Sequence, residues 1–566
     1  MARPLPLPGF PAISIAPPAL ADKLRLGLPL WCMGLEEPGL ARHLASRALL
    51  SGDAALAACG LGLALWTWQR APLQRPRIEL LREALAACAS PAPHTAPLHE
   101  FLGQLLARLE GQPEPAEVSA LLAAGDTALA VRLLLPRLRD PAQGLAWLAS
   151  AWDGMLRLGS PDLCAAALAA CPWPEALLPL RARLAAELSF FFDAPETALN
   201  LLPDVDADLF GAWAAYLRAE LLLRLGQAQA GRDLLAALFA ALPWHTHLGL
   251  KLHALFAPLP VAPQSAAGDA SILVYSWNKA ALVRQTLTSL ARTDLHGARI
   301  LVLDNGSTDG TGNGDGTGEA MEACAALFPP GVLSVVRLPV NVGAPAARNW
   351  LLSLPEVRAR AWAVFLDDDV LLPERWLLRL LGAGQATPDC GAVGCRIVSA
   401  ARPDCLQSAD YQLFQPGGGA RTFQGQPDLV NVFDNCAGGL DAGLFSYARP
   451  AVHVSGCCHA LRTSVLAELG GFNIAFSPTQ FDDLERDLRS AVVGRSAVYC
   501  GDVAVAHVQH SSLAKAKGPA AIGQVLGNKI KLEGLFAPAD MEAVAQAGQA
   551  ALWADLAAKW AELAAC

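Results

Sequence analysis

Hydrophobic and polar residues change their rhythm near residue 257 of this chain and again in its tail. Before residue 257 the sequence reads as helix after helix, rich in Ala, Leu and Arg, with the runs broken at Gly or Pro. Ala257-Pro258-Leu259-Pro260-Val261-Ala262-Pro263, followed by small and polar residues to Gly268, reads as a linker. Beyond it, Ile272-Leu273-Val274-Tyr275 and Ile300-Leu301-Val302-Leu303 are short apolar runs separated by a helical stretch from Ala281 to Arg292. That order predicts a βαβ unit with parallel strands. Trp362–Leu366 and Val503–Ala506 are further strand candidates. The tail returns to helix, with Trp553, Leu556, Trp560 and Leu563 on one face at spacings of 3, 4 and 3. With few basic residues nearby, that stripe predicts packing on a neighbouring domain and not on lipid.

Within the helical part, small turn residues recur ahead of Ala/Leu helices. They stand at Gly125-Asp126, Gly159-Ser160, Asp193-Ala194 and Leu225-Gly226. From 125 to 159 is 34 residues, from 159 to 193 is 34, and from 193 to 226 is 33. With Trp213 and Tyr216 ahead of the last turn, this period resembles tetratricopeptide repeats. The alternative is an ordinary helical bundle whose turns fall at the same spacing.

Composition narrows the class. A chain of 566 residues exceeds one hydrophobic core and implies two or three domains. Hydrophobic residues at 53% and charged residues at 17% exclude a disordered chain. Mean hydropathy is +0.32, which raises the question of a membrane protein. The longest proline-free run without a charge, Ala54 to Gln69, falls just short of the roughly 17–25 residues of a span, so it predicts a buried helix. Met1 to Pro11 is broken by prolines and lacks the basic-then-apolar pattern of a signal peptide. A net charge of −9 gives no surface for nucleic acid. The 14 cysteines include no CxxC pair, and free thiols in a reducing cytoplasm are expected.

The strongest chemical signal is Phe365-Leu366-Asp367-Asp368-Asp369. Three carboxylates at the end of a buried strand repel one another unless a cation sits among them. Hard divalent ions take oxygen ligands and keep positions open for substrate phosphates. Alone, the triplet could equally cap the helix that follows Pro373 and Glu374. Upstream, Leu303-Asp304-Asn305-Gly306 is a strand ending in an acid and a turn, where a carboxylate can accept the ring N–H of a uracil. Asn341 to Asn349 is a turn running into a helix with Arg348 on its buried side. Val454-Ser455-Gly456-Cys457-Cys458 with Leu469-Gly470-Gly471-Phe472-Asn473, and then Phe481-Asp482-Asp483-Leu484-Glu485, follow in order.

Taken together, this ordered set resembles glycosyltransferase family 2, of the GT-A fold. The resemblance implies roles residue by residue. Ser276 and Trp277 border the nucleobase, with Trp277 where the family has tyrosine and Tyr275 where it has proline. Asp304 is similar to the acid that contacts the base, and Arg348 to the arginine beside it. Asp367 matches the residue facing the ribose, Asp369 the metal ligand, and Asp368 a variable position that adds negative field. Asp483 holds the place of the catalytic base, near a helix N-terminus that keeps it ionised. His507, with His510 three residues on, resembles the histidine that completes the metal site in related enzymes. Lys515 and Lys517 are candidates to close over a diphosphate, or a solvated pair, and the Gly310–Gly318 run reads as a flexible inserted loop. No Gln-x-x-Arg-Trp motif follows Asp483, which favours transfer of one sugar over processive synthesis.

The fold class expected is α/β. A GT-A domain (Rossmann-like, mostly parallel sheet) at 271–513 follows an all-α repeat domain at 1–256 and a linker at 257–270, with a helical tail at 514–566. The expected activity is metal-dependent, inverting transfer from a nucleotide-sugar donor, UDP-sugar favoured, with Mn²⁺ or Mg²⁺. The acceptor hydroxyl is expected on a protein or protein-bound glycan recruited by the repeats. The rivals are a scaffold carrying an inactive transferase domain and a sugar nucleotidyltransferase. The latter needs a glycine- and lysine-rich loop after the first strand, where this chain has Ser276-Trp277-Asn278-Lys279.

Overall fold

The computed structural model describes residues 3–13, 17–27, 38–87, 95–111, 118, 122, 127–311, 313–413, 422–423, 426–427, 429–434, 439–508 and 519–565. The chain divides into two compact units, Met1–Phe256 with Leu556–Cys566, and Ala257–Asp555. His510, Lys515, Lys517 and the Gly125-Asp126 turn lie outside the described residues.

The first unit is helical because its apolar residues keep helical spacing and its turns carry proper caps. Gly159 takes a left-handed conformation at the end of the Gly144–Leu158 helix. Ser160 then caps the next, Pro161–Ala170, by accepting from the Leu163 amide, with Pro161 at the first helical position. Similar short turns join Leu178–Phe192 to Pro195–Leu201 and Ala207–Arg224 to Ala228–Ala241. The Ala54–Gln69 run folds as the helix Ala54–Arg70, capped by Asp53 and buried through its second half. Its Trp68 is fully buried and stacks on Phe210 at 5.1 Å. Among the described residues no helix is long and apolar enough to cross a membrane. The tail stripe also finds protein, since Trp560 is buried with its ring 5.8 Å from that of Phe239.

The second unit is built on a ten-stranded sheet. Its strands are β1 (Ala270–Ser276), β2 (Arg299–Asp304), β3 (Leu333–Arg337), β4 (Trp362–Leu366), β5 (Val370–Leu371), β6 (Ala392–Ser399), β7 (Leu406–Ser408), β8 (Ala448–Ala451), β9 (Cys458–Arg462) and β10 (Ala497–His507). The main path runs β8-β10-β6-β9-β4-β1-β2-β3, with β5 on β10 and β7 on β6. Strands β4, β1, β2 and β3 are mutually parallel, and β10 is parallel to β6. Strand β9 enters antiparallel between β4 and β6. Helix Ala280–Leu290 makes the β1-to-β2 crossover expected of the βαβ pattern. The central strands are apolar throughout because both faces are covered, and Ile272, Val274, Ile300, Val364 and Leu366 are wholly buried. Parallel strands end together, so Ser276, Asp304 and Asp367 emerge at one edge of the sheet.

The segment read as a linker packs closely. The Ala262 amide donates to Leu378 O at 3.0 Å, and Pro260 O lies so near Gly382 that a Cβ there would sit 1.9 Å from it. Helix propensity favours Ala over Gly at position 382 by about 1 kcal/mol. A backbone oxygen cannot yield as a side chain can, so the clash wins. Gly382→Ala should destabilise the protein by about 1–3 kcal/mol, read as a lower urea midpoint. An unchanged or higher midpoint would show that residues 258–262 do not hold this helix.

Candidate active site

Three segments meet at the carboxyl edge of the parallel strands. The first is the end of β1. The Ser276 hydroxyl donates to Asp368 at 2.5 Å, and the Lys279 ammonium lies 2.8 Å from Asp368 and 3.6 Å from Asp369. Asp368 is therefore a buried, doubly held carboxylate, and Lys279 supplies the cation that the bare triplet lacks. Trp277 stays 47% exposed, which leaves its ring free to meet a ligand. At the end of β2, Asp304 is buried and accepts the Ser307 amide at 3.0 Å. The Gly310–Gly318 run is anchored by Asp309, whose carboxylate takes the Thr317 amide and hydroxyl at 3.0 and 2.7 Å. Thr317 in turn accepts the Lys279 amide at 2.8 Å, so the loop's far end supports the β1 turn.

The second segment is the acidic strand end with its histidine. Asp369 is buried, and one of its oxygens is 3.1 Å from His507 Nε2. The other ring nitrogen of His507 is 2.7 Å from Gln407 Oε1 on β7. An amide oxygen only accepts, so Nδ1 carries the proton and Nε2 is the nitrogen turned toward the acids. Burial lowers the affinity of His507 for a second proton, but the bond to Asp369 and the charge of Asp367 outweigh this and raise its pKa. Ligand atoms of Asp367, Cys457 and His507 lie within 4.8 Å of one another, and all three residues are half-buried. A half-buried carboxylate, imidazole and thiol, backed by Asp369, suit a divalent cation.

The third segment is the Asp482–Val492 helix. Its first residue, Asp482, is buried on Arg348, whose Nη1 donates at 2.7 Å. The guanidinium is enclosed by the rings of Phe472, Tyr275 and Phe365 at 4.9, 5.4 and 5.8 Å. Arg348 thus serves the helix acid, and Asp482 is no bystander to Asp483. Burial raises the Asp482 carboxyl despite Arg348. Asp483 is half-buried, and burial would raise it too, but the charges of His453, Arg348 and His459 bring it below the usual carboxylate range. The Gly456 amide donates to it at 3.1 Å. A Cβ on Gly456 would fall 2.4 Å from Asp483 Oδ2, so only glycine permits this approach.

Several residues that hold the site gave no signal in the chain's periodicity. Asp487, one helical turn after Asp483, is buried between His453 Nδ1 at 2.7 Å and His459 Nε2 at 3.0 Å. Its i+4 spacing from Asp483 and the two histidines flanking Ser455-Gly456 were the available clue. Gln480 and Phe481, which lead into the helix, both have positive φ, at 82° and 69°. This strained approach is pinned by Asn528 on the Pro519–Glu533 helix. Asn528 is fully buried, and its amide donates to Phe476 O, Thr479 O and Gln480 O at 3.2, 2.9 and 3.2 Å.

Comparison with known proteins agrees with this architecture. Residues 271–470 match the family model described as Glycosyl transferase family 2. No curated protein matches the chain. Among solved structures, GalNAc-T7 with UDP, GalNAc and Mn²⁺ is similar at 12% identity and TM-score 0.36, covering 47% of this chain and 48% of that one. The chain therefore spans about half the length of that protein. Mannosyltransferase PcManGT from Pyrobaculum calidifontis, with GDP-Man and Mn²⁺, is similar at 21% identity and TM-score 0.33, covering 62% of this chain and 91% of that one. S. aureus TarS 1-349 is similar at 16% identity and TM-score 0.32, with 49% and 69% covered. At these TM-scores the likenesses are weak, and the fold rests on the sheet order and the family match. The GT-A domain and the all-helical region before it are as the sequence implied.

Two tests follow from this geometry. Burial, partly offset by Lys279, lifts the Asp368 carboxyl to about 6. A raised acid binds its proton more tightly in the folded state. Its stabilising contribution is complete below about pH 4 and is lost as pH rises through about 6. In chelator, Asp368→Asn should lose less stability than wild type between pH 4 and 7, by on the order of 3 kcal/mol. Parallel stability curves would refute the burial argument. Asn528→Ala leaves three carbonyls without their donor and should cost about 1–3 kcal/mol. Hydrogen exchange should quicken across residues 476–485; unchanged exchange there would mean the clamp is idle.

Proposed function

Taking residues 271–470 as a glycosyl transferase family 2 domain, we propose that this chain moves a single sugar from a nucleotide-sugar donor to an acceptor hydroxyl, with inversion. One observation carries the reading. The turn Ser455-Gly456-Cys457 touches both halves of the chemistry, since Gly456 N–H donates to Asp483 and Cys457 O accepts from the Asp367 amide at 3.1 Å. A partly open carboxylate is thereby fixed beside a divalent-cation site at a strand edge, where ligands of parallel sheets bind.

Asp304 and Trp277 line the nucleotide side, and a carboxylate at the end of β2 favours a uracil base, hence a UDP-sugar. Asp369 and His507, with Asp367 at their side, would hold Mn²⁺ or Mg²⁺. When bound, that ion stabilises negative charge on the departing nucleotide diphosphate. Asp483 takes the proton of the acceptor hydroxyl. Its ionised form is favoured by the nearby His453, Arg348 and His459 and by the Gly456 and Leu484 amides, the latter at 2.9 Å. The helical hairpins before residue 257 act as a tetratricopeptide-like array that recruits a protein or protein-bound glycan acceptor. Cys324, Cys390, Cys395, Cys458 and Cys500 are buried free thiols, in keeping with a reducing cytoplasm.

Asp483→Asn keeps size, retains one acceptor oxygen where the carboxylate serves both the Gly456 and Leu484 amides, and cannot take the proton. Its kcat should fall on the order of 10²–10⁴-fold while nucleotide affinity stays near wild type. Asp482→Asn instead weakens a buried ion pair and should lower thermal stability as well. The measurement is transfer rate with a panel of nucleotide sugars, beside calorimetric nucleotide affinity for each variant. Wild-type rates in Asp483→Asn would place the base elsewhere. Absence of transfer from every donor, with nucleotide still bound, would favour a scaffold.

A further inference from the structure

Carboxylates and an imidazole make a site that serves Mg²⁺ and Mn²⁺ alike. Cys457 changes the donor set. Its half-buried thiol shares a 4.8 Å cluster with ligand atoms of Asp367 and His507. That placement is set by the main chain, because Cys457 O accepts the Asp367 amide at 3.1 Å and Cys457 N–H donates to Ser455 Oγ at 3.3 Å. His507 is oriented independently. Gln407 Oε1 accepts from its Nδ1–H and Gln407 Nε2 donates to its backbone oxygen at 3.3 Å, a polar partner of the kind that fixes metal-binding histidines. Two differently anchored soft or borderline donors thus converge beside Asp367.

We propose that Cys457 is a sulfur ligand of the divalent ion and tunes the site toward transition metals over Mg²⁺. The inference rests on the metal-dependent reading above and adds to it the ligand and the metal class. On binding, the thiol releases its proton to solvent and the sulfur forms the bond to the ion. Nothing is oxidised or reduced. Thiolate disfavours Mg²⁺, which demands oxygen ligands, and the affinity order becomes Mg²⁺ below Mn²⁺, then Co²⁺, then Zn²⁺. In the folded sheet the neighbouring Cys458 is fully buried and sits opposite Leu366, so the two adjacent cysteines have different surroundings.

The test uses the full chain with Co²⁺ as the probe, with and without UDP. Bound cobalt with a sulfur ligand gives a near-ultraviolet sulfur-to-cobalt charge-transfer band that oxygen and nitrogen ligands do not. Wild type should show the band, and Cys457→Ser and Cys457→Ala should lose it. Calorimetry should show Co²⁺ and Zn²⁺ affinity falling about tenfold or more in both variants, while Mg²⁺ affinity falls less. Cobalt binding to wild type without the band overturns the proposal, and that result stands even where a variant does not fold. A band that survives in Cys457→Ser overturns it too. Failure of wild type to bind Mg²⁺, Mn²⁺ or Co²⁺ at all, with UDP present, overturns the metal-dependent reading itself.

Discussion

The contact on which the rest of the site depends is the hydrogen bond from the Gly456 amide to Asp483. It joins the turn before β9 to the helix that follows Phe481, a meeting that Asp487 reinforces through His453 and His459. The approach is open only because residue 456 has no side chain. The same turn accepts the Asp367 amide through Cys457 O, so Asp483, the proposed base, and the acidic strand end share one three-residue bridge. Strand β9 makes the bridge possible. By running antiparallel beside β4, from Cys458↔Leu366 to Arg462↔Trp362, it delivers its first residues to the edge where β4 ends.

Charge balance then dictates what surrounds that bridge. Five aspartates, at 367, 368, 369, 482 and 483, cannot share one partly buried region without cations. Lys279 faces the triplet and Arg348 faces the helix pair, and each is enclosed well enough to be more than a surface partner. The Lys279 ammonium is raised in pKa because Asp368 and Asp369 outweigh its burial. Protein cations offset only part of the triplet's charge: burial is the larger cause that lifts the Asp368 carboxyl, and Asp369 raises it further against Lys279. The remaining deficit is the charge that the proposed divalent ion would offset.

Much of this was legible because carboxylates closing apolar runs are anomalous wherever a strand is buried. Asp304 and the 367–369 triplet stood out on that ground, and the β1-helix-β2 unit was visible in local periodicity. Strand β9 was not, since Cys-His-Ala-Leu-Arg contains no β-branched residue and resembles a helix as readily as a strand. Arg348 was placed on the buried side of its helix, but only the fold brings it to Asp482, 134 residues away. Gln407 and Asn528 act across 100 and about 48 residues, through polar side chains that are unremarkable in sequence. Sequence patterns report periodicity along the chain, and these residues work through contacts between elements.

The difference between Asp482 and Asp483 follows from the same constraint. Neighbours on a helix start, they have nearly equal intrinsic chemistry, yet the helix turns one inward onto Arg348 and leaves the other half-exposed on the Gly456 turn. Burial dominates at Asp482 and raises it, although its cationic partner is only 2.7 Å away. At Asp483 burial is outweighed by several charges acting together, two of them the histidines that also bracket Asp487. Asp487 is itself held well below the usual carboxylate range; burial opposes this, but the charge and hydrogen bonds of His459 and His453 prevail. An ionised Asp487 holds both imidazoles in place, and the imidazoles in turn favour an ionised Asp483 one helical turn away. The half-exposed carboxylate is therefore the one held ionised, as the proposed base requires.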